Sequence, residues 1–265
     1  MLELKRITKV FNEGTADEKI ALRGIDLTLA PGDFVTVIGS NGAGKSTLMN
    51  IISGRLSPDT GEVWINGRDV TALKEHARAR YIGRVFQDPM AGTAPHMTIE
   101  ENLALAYNRT KRRTLSLGVT KQKREWFRET LRTLHLGLED RLAAKVGLLS
   151  GGERQALSLL MATFTKPDVL LLDEHTAALD PARAELVTEL TKQIVEQHRL
   201  TTLMVTHNME QAIRLGNRLI MMDGGQIIFA AEGKEKEELT VERLLEAFQR
   251  IRGSQFASDR AVLSS

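Results

Sequence analysis

The chain has 265 residues and no cysteine. That excludes disulfides, thiolate metal sites and cysteine nucleophiles, and it fits a reducing compartment. Charge of one sign is lacking too. The 36 Lys and Arg face 34 Asp and Glu, for a formal net charge of +2, which gives no global case for nucleic-acid binding. No apolar run is long enough to span a bilayer, and the opening MLELKRITKV lacks a signal-peptide core. There is no internal repeat and no low-complexity linker. The expectation is a cytoplasmic chain that a partner holds at the membrane if it works there. What is present is ordinary: 42% hydrophobic and 26% charged residues, in a chain long enough for one large domain or a core with a subdomain.

The first third reads as β. LELKRITKVF alternates in part, ALRGIDLTLA and DFVTVIG are strand-like runs around the turn pair Pro31-Gly32, and GEVWINGRDV predicts a hairpin at Asn66-Gly67. KSTLMNIISGRL changes to helical spacing and stops at Gly54. The middle is helical and polar, with Phe127, Leu131, Leu134 and Leu138 on one helical stripe. DVLLLDE and TTLMVTH are short, nearly all-apolar runs with helical sequence between them, the pattern of parallel strands covered on both faces. TVERLLEAFQRI predicts a short amphipathic helix capped by Thr240, and GSQFASDRAVLSS a loosely held tail.

Three stretches carry chemistry. GSNGAGKS after DFVTVI matches G-x-x-x-x-G-K-[ST], with Gly39, Gly44, Lys45 and Ser46 in the fixed places. Polyphosphate needs many backbone N–H groups aimed at it, and glycine lets the backbone wrap that closely. The helix that starts in the loop adds its dipole, Lys45 reaches the β- and γ-phosphates, and Ser46 holds Mg²⁺. VLLLDEHTAALDP ends an apolar strand in Asp173 and Glu174. The first can hold Mg²⁺ and the second can polarise water; the bland alternative, two solvated acids, loses weight beside a phosphate loop. LLSGGERQALSLLMAT places Ser150, Gly151 and Gly152 at a helix start, a second phosphate contact that a second copy of the chain could bring to the first loop.

In this order, GSNGAGKST, LSGGERQ, VLLLDE, ALD and TH resemble the ATP-binding subunit of an ABC transporter, from about Leu2 to Ile228. The resemblance implies an α/β fold: a P-loop NTPase (RecA-like) core, an N-terminal antiparallel β subdomain and an inserted α-helical subdomain. The core would take 1–87 and 166–231, the helical subdomain 88–165, and a C-terminal helix and tail 232–265. Residues Gly39, Ser40, Asn41, Gly42, Ala43, Gly44, Lys45, Ser46 and Thr47 would bind ATP. Phe11 matches the aromatic that stacks on adenine, its alternative being a core residue. Gln87 in VFQDP matches the glutamine that contacts Mg²⁺ or the attacking water. Asp173 matches the Mg²⁺-associated aspartate, Glu174 the catalytic glutamate and His207 the histidine that contacts the γ-phosphate. Ser150, Gly151 and Gly152 would touch the ATP held by the opposite subunit, and Asp180 would lie in the loop that crosses the interface.

The implied assembly is a head-to-tail homodimer around two ATP, bound with Mg²⁺. It would drive a separate integral membrane permease at the cytoplasmic face and, through it, work with a substrate-binding protein. MTIEENLALA resembles import-type members, while IGRVFQDPMAGTA, LLDEHTAALDP and TTLMVTHNMEQAIR resemble a branch encoded with a permease and a substrate-binding lipoprotein, which small solutes such as amino acids suit. Non-transport ABC ATPases usually carry tandem nucleotide domains, a long coiled coil or zinc-type cysteines, none of which is here. An unrelated kinase or GTPase is disfavoured by LSGGERQ and by the lack of N-K-x-D. Two features depart from the pattern. His175 stands where most relatives have proline; it is either a tolerated change or a group that titrates near neutrality. NRTKRRTLSLGVTKQKREWF is unusually long and basic, a solvated face or one near anionic lipid or a permease loop. His76, His96, His135 and His198 are expected on the surface or in the subdomain.

Overall fold

A computed structural model describes residues 1–110 and 118–249. Part of the basic stretch and the GSQFASDRAVLSS tail lie outside the described residues. Strands β1 (Leu2–Phe11) and β2 (Lys19–Leu29) pair antiparallel, and β4 (Thr60–Ile65) lies on the other side of β1. The two-residue strand β5 (Arg68–Asp69) closes this sheet through the turn at Asn66-Gly67, where φ is 48° and 74°. Two consecutive positive φ values fit the twist of a two-residue hairpin, which is why Asn-Gly serves there.

The second sheet runs β10-β9-β3-β8-β7-β6. Its strands are β3 (Phe34–Gly39), β6 (Ile82–Val85), β7 (Val169–Asp173), β8 (Thr202–Val205), β9 (Arg218–Asp223) and β10 (Gln226–Glu232). All neighbours are parallel except β9 and β10. Alternate residues of its central strands enter different cores. Val169, Leu171, Leu203 and Val205 meet the first sheet and helix α1 (Lys45–Ser53). Leu170, Leu172 and Met204 meet the helices on the opposite face. Burial on both faces explains the unbroken apolar runs.

Those opposite helices are α3 (Ile99–Asn108), α4 (Lys121–Arg132), α5 (Gly151–Thr163) and α6 (Pro181–His198), which follow the four-residue α2 (Glu75–Arg78). Capping boxes start α3 at Thr98 with Glu101 and α5 at Ser150 with Glu153. Phe127, Leu131, Leu134 and Leu138 are all buried together. They do not share one helix, however: α4 ends at Arg132, and positive φ at His135 and Gly137 turns the chain before a 3-10 turn at Leu138–Asp140. The periodicity therefore found the buried set but overran the helix end. After α7 (Met209–Arg214) and α8 (Lys234–Glu237), residues 241–249 are helical. As expected, the Thr240 hydroxyl caps this helix by accepting from the Arg243 N–H at 3.3 Å, and Leu244 is buried.

Arg78 is fully buried at the C-terminal end of α1. Its Nη1 donates to the carbonyls of Ile51 and Ile52, its Nε to Leu73 and its Nη2 to Thr71. One guanidinium thus satisfies helix-end and loop carbonyls that water cannot reach. Arg78→Ala is expected to destabilise the fold by about 3 kcal/mol, because several buried acceptors lose their donor together. Urea unfolding checks this, and a loss under about 1 kcal/mol would contradict it.

Candidate nucleotide site

The register of the second sheet decides what meets at its edge. Val205 on β8 is level with Val37 on β3 and with Asp173 on β7. The segments that leave these strands emerge side by side: the glycine loop after β3, Glu174 after β7 and His207 after β8. This is the carboxyl edge of a parallel sheet, where open α/β folds bind ligands.

The loop is wedged as well as wrapped. At Gly39, with φ 152°, a Cβ would lie 2.1 Å from the Met222 carbonyl oxygen; at Gly44, with φ 101°, it would lie 2.5 Å from that of Ala21. Ser40 Oγ donates to Asp223 Oδ1 at 2.6 Å. Lys45 is buried, and its Nζ donates to the carbonyls of Gly39 at 2.8 Å and Ser40 at 2.9 Å. Burial pushes the Lys45 ammonium below its ordinary range, and the Glu174 carboxylate partly opposes that shift.

Asn41, Gly42, Ala43, Gly44, Lys45, Ser46 and Thr47 line one cleft of about 170 Å³ together with Phe11, Lys19, Ala21, Glu174 and His207. Phe11 is half-buried at this cleft and belongs to none of the cores. Glu174 has φ 47°, a conformation uncommon outside glycine, asparagine and aspartate, and its N–H donates to the Val205 carbonyl at 2.9 Å. His207 Nε2 stands 2.6 Å from Glu174 Oε1. Glu174 was expected at the attacking water and His207 at the γ-phosphate; their direct contact was not legible from spacing.

Other expected residues lie elsewhere. Gln87 is exposed beyond β6. Asp173 is paired with Arg84, Nη2 to Oδ2 at 2.8 Å. Asp180 caps α6 by accepting from the Arg183 N–H at 3.2 Å. Ser150 caps α5, while Gly151 and Gly152 face Leu179 and the Arg183 stem, where an added Cβ would come within 3.2 Å and 3.1 Å. None of these lines the cleft. Two contributors were missed. Lys19 is opposite Phe11 in the β1–β2 register, so recognising that hairpin would have placed it. Arg84 carries no motif signal.

His175 settles one open alternative. It is fully buried, and its Nε2 is 2.9 Å from Thr191 Oγ1. That hydroxyl spends its single hydrogen on the Val187 carbonyl at 2.7 Å, so the imidazole Nε2–H must be the donor to it. Burial pushes its pKa down from 6.5 to about 4, so it does not titrate near neutrality. His76, His96, His135 and His198 are exposed, as expected.

The geometry defines a P-loop ATPase whose phosphate loop, carboxylates and histidine meet at one edge of a parallel sheet. Residues 22–177 match the family model described as ABC transporter, and the chain belongs to that family. It is 44% identical over 249 residues to the tyrosine transport ATP-binding protein of Clostridioides difficile (strain R20291), covering 94% of this chain and 99% of that one. It is 37% identical to the methionine import ATP-binding protein MetN 2 of Enterococcus faecalis, over 88% of this chain and 65% of that longer one. A solved ATP-binding cassette dimer in a post-hydrolysis state, bound to ADP and Pi, superposes with a TM-score of 0.75 at 30% identity, over 88% of this chain and 98% of that one. The chain is accordingly an ATP-binding, ATP-hydrolysing subunit of an ABC transporter. Among the described residues no helix is long and apolar enough to cross a membrane.

The buried neutral imidazole has a stability consequence. Below about 6.5 the unfolded chain protonates His175 while the folded chain does not until about 4. Its contribution is therefore present above 6.5 and lost as pH falls toward 4, at up to about 1.4 kcal/mol per pH unit. Denaturant unfolding between these limits should show a smaller pH slope in His175→Gln; an identical slope would contradict it.

Proposed function

We propose that this subunit closes head to tail with a second copy around two ATP and drives a separate membrane permease that imports a small solute, in the amino-acid class. One observation carries the two-copy reading: Lys45, Glu174 and His207 line one cleft, while Ser150, Gly151 and Gly152, the other anion-binding start, lie outside it in the same chain. A site split in this way is completed by a partner with the same surface.

In this reading Gly39 to Thr47 cradle the phosphates, Phe11 stacks on adenine and Lys45 leaves its loop carbonyls for the β- and γ-phosphate oxygens. Ser150, Gly151 and Gly152 of the partner present N–H groups to the γ-phosphate, and Asp180 lies between the copies. Glu174 orients the attacking water, and His207, already on its carboxylate, fixes that orientation and contacts the γ-phosphate. Among the described residues no group of three or more His, Asp or Glu forms a metal cage. Ser46 and Asp173, with Gln87 approaching on closure, are instead the sparse oxygen set that suits Mg²⁺ shared with substrate phosphates. When bound, Mg²⁺ supplies neutralisation of charge on the phosphate oxygens. Loss of the γ-phosphate removes contacts that only the closed dimer makes, so hydrolysis favours opening.

The division into a core (1–87 and 166–231), a helical subdomain (88–165) and a C-terminal piece follows the same reading. A cleft of about 890 Å³ between β6 and helices α3 and α5, with Leu105 exposed at it, is the proposed seat of the permease, which would hold the subunit at the cytoplasmic membrane face. An amino-acid solute is supported by the names of the tyrosine and methionine relatives. A substrate-binding protein would act through the permease. No nucleic acid is involved.

Glu174→Gln is expected to retain ATP binding, lose turnover at least about a hundredfold and shift from monomer to dimer on addition of ATP in gel filtration. Robust hydrolysis by this variant would sink the assignment. Lys45→Ala should lose tight ATP binding, and an unchanged affinity would count against the phosphate-loop role. Gentle detergent purification from native membranes should bring down a polytopic permease in stoichiometric amount; ribosomal or DNA-associated partners instead would remove the transport purpose.

A further inference from the structure

Arg84 sits on β6, one strand away from β7, and braces two elements at once. Its Nη2 donates to Asp173 Oδ2 at 2.8 Å. Its Nη1 donates to Asn50 Oδ1 at 2.9 Å and to Ser53 Oγ at 3.1 Å. Asn50 and Ser53 are three residues apart on α1 and so share a face of that helix. The guanidinium also lies over the Phe86 ring, 4.9 Å from its centroid. Its Nε is buried without a partner in the described structure. The planar fork suits this task, since one rigid group reaches acceptors on two elements with fixed angles.

The helix that Arg84 grips begins at Lys45 and Ser46, and the carboxylate that it holds is Asp173. We propose that Arg84 is a positioning residue for the Mg²⁺ site. It ties α1 to the end of β7, and by occupying Oδ2 it leaves Oδ1 as the Asp173 oxygen available to the ion. The proposal rests on the reading that Ser46 and Asp173 hold Mg²⁺. Groups that orient a metal ligand commonly govern metal affinity about as strongly as weak ligands do, by about tenfold to a hundredfold.

The sign of the effect separates positioning from plain electrostatics. A cation beside a divalent site repels the ion, so removing it would tighten Mg²⁺ binding if charge were all that mattered. Loss of orientation does the reverse. Arg84 also lines the larger cleft between β6 and helices α3 and α5.

The test is a Mg²⁺ titration of thermal stabilisation by the non-hydrolysable analogue AMP-PNP, which reads metal binding without turnover. For Arg84→Met, the Mg²⁺ concentration at half effect is expected to rise about tenfold, while AMP-PNP affinity in EDTA stays within about twofold of the parent. Arg84→Lys should recover only part of the loss, because Nζ can still pair with Asp173 but a single ammonium lacks the fork that also grips Asn50 and Ser53. A half-point that is unchanged or lower in Arg84→Met overturns the proposal, and so does a drop in melting temperature in EDTA with no change in Mg²⁺ half-point. If Arg84→Met does not fold, the double variant Asn50→Ala and Ser53→Ala carries the test: it frees the helix side and leaves the Asp173 pair, and an unshifted half-point overturns the proposal. If the parent itself shows no Mg²⁺ effect, the metal reading of Ser46 and Asp173 fails and the proposal with it. If the parent responds and every variant matches it, only the proposal fails.

Discussion

The site depends on the end of β8. Val205 is level with Val37 on one side and Asp173 on the other, and its carbonyl takes the N–H of Glu174. One residue on, the Thr206 N–H donates to the Val37 carbonyl. Backbone bonds from one strand end therefore align the roots of the phosphate loop, the carboxylate pair and the histidine. In a parallel sheet side chains alternate strictly between faces, so a slip of one residue here would send every side chain of the strand into the opposite core. The two cores that share β7 and β8 fix that register, and the chemistry inherits it.

Side chains extend the same alignment. Gln211 on α7 takes a hydrogen bond from Thr206 Oγ1 at 2.7 Å and donates to Thr188 at 2.7 Å and to Thr176 at 3.2 Å. It thereby connects the segment after His207, the segment after Glu174 and helix α6. His175 binds the same helix through Thr191. Every polar atom named here is matched, and a matched buried network holds one geometry more firmly than separate contacts do. The unusual φ of Glu174 sits inside this frame, held by its own N–H and by His207.

Much of this was legible in the residues. Gly39, Gly44, Lys45 and Ser46 announce the loop by spacing, because polyphosphate binding has few backbone solutions. The runs VLLLD and TLMV announce doubly covered parallel strands, because burial on both faces leaves no room for alternation. Asn66-Gly67 announces its hairpin, because few other pairs accept two positive φ values. What escaped has a common cause. The His207–Glu174 contact, the Arg84 brace and the place of Lys19 depend on the distance between elements far apart in sequence, which motif spacing does not encode. The run-on of α4 past Arg132 has a different origin: Leu134 and Leu138 keep the helical period of burial while the backbone between them turns.

The close approach of Gly39 to Met222 and of Gly44 to Ala21 also governs traffic. The phosphate loop is clamped between the main chains of β9 and β2, so it has little room to breathe. A nucleotide seated on such a cradle enters and leaves through the exposed side of the cleft. In the proposed closed dimer the residence time of a spent nucleotide is then set by the partner surface that covers that side, and the clock of the proposed cycle lies in the separation of two surfaces rather than in any flexing of the loop itself.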